Sequence, residues 1–161
     1  MSDVVCEIKQ RWNYDRFSIV PVEVIMPMIH EAMDLPEKHK RREVYLGQSA
    51  HVTSLRLRTF ALRGLTCVSC GLTATFFALE RGMRKKQPIK EPYHLNLWGI
   101  APDGEEILFT HDHVLARGLG GADSISNTQT MCSPCNAIKG EKEKILIEER
   151  RHGHKISHTF P

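Results

Sequence analysis

Residues 109–140 read FTHDHVLARGLGGADSISNTQTMCSPCNAIKG, and the rest of the chain is best placed by working outward from them. The stretch opens on the end of a β-prone run, Glu106 to Thr110, that delivers His111-Asp112-His113. A glycine-rich loop follows, Arg117-Gly118-Leu119-Gly120-Gly121, and then Asn127. Next comes the tight pair Cys132-Ser133-Pro134-Cys135. Ser133 suits a helix N-cap and Pro134 the first helical position, so a helix carrying Asn136 and Lys139 is expected there. It either ends at Gly140 or runs on through Ile145 and Ile147.

Upstream, Tyr93 to Ile100 alternates apolar and polar residues and is expected to form the strand that pairs with Glu106–Thr110. Ala101-Pro102-Asp103-Gly104 supplies the turn, proline setting φ and glycine accepting the left-handed position. Thr73 to Leu79 is rich in β-formers and reads as another strand, and the polar stretch from Glu80 to Pro92 reads as a loop. Cys67-Val68-Ser69-Cys70-Gly71 is a second knuckle. Before it, Ser49 to Arg63 is expected to be a helix with Ser49 as N-cap and Gly64 as its end. Val52, Leu55, Thr59 and Leu62 would form its buried stripe, with Arg56 and Arg63 together away from it. Glu37 to Tyr45 is helix-compatible and basic. Met28 to Met33 fits a short helix, and Phe17 to Val24 a strand or extended entry, because Pro21 and Pro27 discourage a helix interior.

Of five cysteines, Cys67, Cys70, Cys132 and Cys135 form two C-x-x-C pairs, and Cys6 is left over. Two such knuckles match the ligand spacing of a tetrahedral four-cysteine zinc site, each pair presenting two thiolates to one ion. Four protein ligands leave no open position, so such a zinc would be structural. A redox C-x-x-C would sit in a βαβ pattern, which neither pair does, and the remaining possibility is four unrelated thiols. The odd count argues against a disulfide framework.

Asp112-His113, Gly120-Gly121, Asn127, the Cys132/Cys135 pair, Asn136 and Lys139-Gly140 together resemble the motif of the HNH (ββα-metal) endonucleases, in a four-cysteine variant with asparagine at the third motif position. The resemblance implies an α+β fold with a ββα-metal (His-Me finger) hairpin-and-helix core closed by Zn²⁺. It implies DNA cleavage leaving a 3′-hydroxyl and a 5′-phosphate. It makes His113 the general base, Asp112 and Asn136 the ligands of a catalytic Mg²⁺ or Mn²⁺, and Asn127 the residue that orients the base and orders the loop. The chemistry asks for these types. An imidazole titrates near neutrality, and carboxylate and amide oxygens are hard ligands for a cation that stabilises charge on phosphate. His111, sharing a strand face with His113, is either an auxiliary group at the phosphate or metal or a hydrogen-bonded edge residue. Lys139 would contact a phosphate or favour its helix terminus.

On this basis residues 1–64 are expected to be a mainly helical extension for substrate or partner binding, residues 65–150 the zinc-stapled nuclease core, and residues 151–161 a polar tail. The composition, 41% hydrophobic and 25% charged, is that of an ordinary globular chain. The net charge of +3 is too small to imply nucleic acid by itself. Two basic clusters, Lys38/Lys40/Arg41/Arg42 and Arg81/Arg84/Lys85/Lys86/Lys90, are either phosphate contacts or solvated surface. No apolar run has the length of a membrane span and the N-terminus lacks a signal pattern, so the cytoplasm is the default location; free-standing proteins of the resembled family often occur in phages and mobile elements. One active site cuts one strand, so a double-strand break would need a homodimer or two events, and a larger DNA-processing complex is a further partner. Alternatives are a nuclease specific for branched DNA and a non-catalytic zinc module that binds nucleic acid.

Overall fold

The computed structural model describes residues 14–36, 42–45, 47–84, 87–88 and 92–156. In chain order the elements are β1 (Tyr14–Pro21), α1 (Val22–Ala32), β2 (Arg42–Tyr45), β3 (Gln48–His51), α2 (Leu55–Arg63), β4 (Ala74–Arg84), β5 (Gln87–Pro88), β6 (His94–Ile100), β7 (Glu106–His113), β8 (Thr128–Cys132) and α3 (Ser133–Ile156). Two 3₁₀ turns, Arg117–Leu119 and Ile125–Asn127, lie between β7 and β8.

The main sheet runs β1-β4-β6-β7-β8, with the short β5 pairing to β4, and every pairing is antiparallel. Alternation gives the sheet two faces. On one, Val20, Phe77, Leu79, Leu97 and Phe109 bury against Ile25 and Ile29 of α1 and Leu57 and Phe60 of α2. On the other, Ala78, Trp98 and Leu108 cluster with Tyr14 and Phe76. The β6–β7 turn closes as expected, with Gly104 at φ 87° and its N–H donating to the Ala101 carbonyl at 2.9 Å.

The expectation of a mainly helical extension over residues 1–64 is corrected. β1 joins the main sheet, pairing with β4 from Tyr14↔Gly82 to Pro21↔Phe76, and β2 and β3 form a second small sheet. The α1 and α2 side chains share one core with Phe77 and Phe109, so this region helps to build the sheet's packed face. α1 includes Pro27, which was expected to prevent it. Proline lacks the N–H that would reach the Glu23 carbonyl, but both residues are exposed, and water can take that acceptor. α2 starts at Leu55, not Ser49: Ser54 is the N-cap, its Oγ accepting from the Leu57 N–H at 3.3 Å. Ser49 lies on β3, where its Oγ accepts from Arg42 Nε at 2.7 Å. The buried residues of α2 are therefore Leu57, Arg58, Thr59 and Phe60, while Leu62 is exposed; Gly64 ends the helix as expected.

Of the stretch Glu37 to Tyr45, residues 42–45 form a strand rather than a helix, and residues 37–41 lie outside the described residues, as do Lys85, Lys86 and Lys90. β4 continues past Leu79 into the stretch expected to be a loop, and Glu80 is 1% exposed. Its carboxylate accepts from Arg16 Nε (2.6 Å), Asn96 Nδ2 (2.8 Å) and Trp98 Nε1 (3.1 Å). Arg81 pairs with Asp15 at 2.7 Å and stacks over Tyr93.

Candidate functional site

The first knuckle follows α2 directly. The Cys67 N–H donates to the Leu72 carbonyl, the Gly71 N–H to the Cys67 carbonyl, and the Val68 N–H to the Thr130 carbonyl of β8, which holds the knuckle against that strand. Cys132 ends β8, and Cys135 sits in the first turn of α3. The four Sγ atoms lie within 4.8 Å of one another. Cys70 and Cys132 are 3.7 Å apart, against an edge of about 3.8 Å for a tetrahedron with metal–sulfur bonds of about 2.3 Å. The thiols are linked by hydrogen bonds. Hydrogen bonding from Cys132 holds Cys67 down at about 4, Cys132 is pushed up by the same bond, and burial raises Cys70 and Cys135. Four sulfurs at this spacing fit one soft divalent cation with no vacancy for substrate.

β7 reaches past this centre, pairing with β8 from Phe109↔Cys132 to His113↔Thr128. His111 and His113 share the face that α2 covers, with ring centroids 5.7 Å apart. Asp112 alternates to the other side, buried at 8% exposure. There its carboxylate accepts from Gln129 Nε2 at 2.7 Å and from Lys139 Nζ of α3 at 3.0 Å. Lys139 also donates to the His113 carbonyl at 2.8 Å and pairs with Glu143. Burial works against that ammonium, but its bonds to Glu143 and Asp112 outweigh it and raise its pKa. In this position Lys139 clamps the tip of β7 to α3.

His113 Nε2 lies 2.9 Å from Asp123 Oδ1, and Arg117 approaches the same carboxylate at 3.7 Å. The bond to His113 holds the Asp123 carboxyl below the usual range. His111 is pushed below the ordinary histidine value, by burial first and then by Arg56 and His113. Asn127 does not meet the imidazole. Its Oδ1 accepts from the Leu115 N–H, and its Nδ2 donates to the carbonyls of Leu115 and Ala122, bracing the loop from inside. Gly121 makes that bracing possible: a Cβ there would stand 1.8 Å from the Leu115 carbonyl oxygen and 2.8 Å from Asn127 Nδ2. Asn136 lies one helical turn before Lys139, on the same flank of α3.

Lys139 thus ties the Asp112 carboxylate to the His113 backbone carbonyl on one side of β7, the His113 and His111 rings lie together on the other, Asn127 orders the loop, and the four cysteines cluster. Asp123, Gln129, Glu143 and Arg56 were not singled out as site residues from the sequence. Asp123 alone carried a signal there, a carboxylate in the loop between the glycines and Asn127.

These features define a mixed α/β protein with a four-cysteine cluster able to hold a metal ion and an imidazole–carboxylate pair at a nearby strand tip. Residues 103–146 match the family model for HNH endonuclease, the family the motif residues resemble, so a nuclease is the class this segment indicates. The match takes in about a quarter of the chain, with Asp112, His113, Asn127, Cys132, Cys135, Asn136 and Lys139 inside it and Cys67 and Cys70 outside. No curated protein and no solved structure gives a significant match to the chain. No helix among the described residues is long and apolar enough to cross a membrane.

Proposed function

We propose that this protein is a metal-dependent endonuclease that hydrolyses DNA phosphodiester bonds, with His113 as general base and a ββα-metal unit formed by β7, β8 and α3. The observation that carries the reading is the pairing of His113 with Asp123 at the strand tip beside Asp112. A carboxylate only accepts, so the neutral imidazole keeps its proton on Nε2 and its lone pair on Nδ1. Nδ1 is then the nitrogen that takes a proton from the attacking water, and Asp123 steadies the imidazolium that results. Asn127 keeps the loop carrying Asp123 in register with the strand.

Asp112 and Asn136 would hold Mg²⁺ or Mn²⁺. The donor set fits a hard cation, because Asp112, Glu143 and the His113 carbonyl already gather around the Lys139 ammonium. When bound, the metal would neutralise charge on the phosphate. The four cysteines would hold structural Zn²⁺. Residues 65–150 act as the nuclease core in this reading, with the preceding strands and helices buttressing it.

A plasmid-nicking assay tests the proposal. Wild type should nick with Mg²⁺ or Mn²⁺ and fall silent with EDTA, and His113→Ala should lose at least about a hundredfold. Equal nicking by the two proteins would remove the assignment of His113. Running a four-way junction beside linear duplex reports which DNA form is preferred.

A further inference from the structure

Three arginines of α2 face the protein, and they differ in how their donors are used. Arg58, 3% exposed, donates to the carbonyls of Thr53, Met33, Leu35 and Pro36. Arg63 donates to the carbonyls of Thr128, Ile125 and Ser126. Arg56 has a single hydrogen bond among the described residues, from Nη2 to the Leu95 carbonyl at 3.1 Å. Burial lowers its pKa, and Tyr14 and Glu80 offset this only through longer-range charge. A half-buried guanidinium with most of its N–H edge unclaimed by the protein has donors to spare for an anionic partner.

The sheet shows where that edge lies. The β6–β7 ladder stops at Leu97↔Phe109, and beyond it β7 pairs only with β8. Continued by two residues, the same register would set Leu95 opposite His111. The Leu95 carbonyl instead takes Arg56, which brings the guanidinium to this end of β6, near enough to His111 for its charge to lower that imidazole's pKa. His111 Nδ1 is buried with no hydrogen-bond partner. A buried bare acceptor costs less than a buried bare N–H, which favours the tautomer with the proton on Nε2. His111 then offers a donor of its own next to the arginine.

We propose that Arg56, with His111 Nε2–H, forms a phosphate-binding cradle contributed to the active site by a helix outside the matched segment. Naming the anion as a DNA phosphodiester rests on the nuclease reading above; the cradle itself does not. It makes α2 part of the site and gives His111 a task distinct from that of His113.

The test uses the zinc-loaded full chain and inorganic phosphate, followed by NMR of the imidazole signals and by calorimetry. Wild type should bind phosphate with a shift at His111. Arg56→Gln should bind about tenfold more weakly or worse at an unchanged melting temperature, with Arg56→Lys in between. In the nicking assay Arg56→Ala should lose about a hundredfold, and added methylguanidinium should restore part of it, which a packing role would not allow. The proposal is overturned if wild type shows no phosphate-dependent shift at His111, or if Arg56→Gln or Arg56→Lys binds phosphate as wild type does. Should Arg56→Gln fail to fold, the wild-type shift and Arg56→Lys decide. Phosphate binding that depends on Arg56 in a protein that never nicks would keep the cradle and sink the nuclease reading instead.

Discussion

Arg16 and Arg56 approach the main sheet from different sides, and their surroundings could hardly be less alike. Arg16 bonds Glu80 through Nε at 2.6 Å, grips Glu106 with both terminal nitrogens at 3.0 and 2.8 Å, and lies over the rings of Phe76 and Trp98. Glu80 in turn receives Asn96 and Trp98. Every charge there is answered from within. Arg56 has one carbonyl, and its neighbour His111 has a bare ring nitrogen. A polar cluster that completes itself holds strands together. One left incomplete keeps its binding capacity for something that arrives later, and it costs stability until then.

Metal removal breaks this contrast most coarsely. The four-cysteine cluster joins the knuckle after α2 to the end of β8 and the start of α3, whereas the Arg16 cluster depends on β1, β4, β6 and Glu106. Chelation should therefore strip amide protection from β8 and the start of α3 while β4 and β6 keep theirs, as hydrogen exchange would show. Structural zinc of this kind contributes about 10 kcal/mol, so the loss should be large. Uniform loss across all strands would mean that the two clusters are not independent. A sharper cut is Glu80→Ala, which leaves Arg16 half-answered and Asn96 and Trp98 without an acceptor. It should cost about 3 kcal/mol in urea unfolding, while phosphate binding at Arg56 persists. The smallest effect is expected from Thr59→Val. It deletes the hydroxyl that bonds Thr128 at 2.8 Å across the α2–β8 seam, and about 1 kcal/mol should be lost with nicking nearly unchanged.

The parts of this molecule legible in its sequence are those whose signal is local. The knuckles show as ligand spacing, the β6–β7 turn as Pro102 and Gly104, and the tip of β7 as alternation ending in His-Asp-His. What escaped depends on distant partners. Glu80 looked like the start of a loop because its burial is arranged by Arg16, far away in the chain. Ser49 looked like an N-cap because nothing nearby reveals that β2 will claim it. β8 was hidden between two loud signals, Asn127 and Cys132, although Thr128 and Thr130 hinted at a strand. Arg56 and Arg63 were read as one face, and only their partners separate them.

The closeness of Cys70 and Cys132 sets an order of events during synthesis. β4, β6 and β7 can zip together as they leave the ribosome, but the two sulfurs of the second knuckle arrive after all of them. A nascent chain would hold zinc in half a cage until Cys135 emerges. The four-sulfur cluster is thus the last part of this region to be completed, after the strands that flank it.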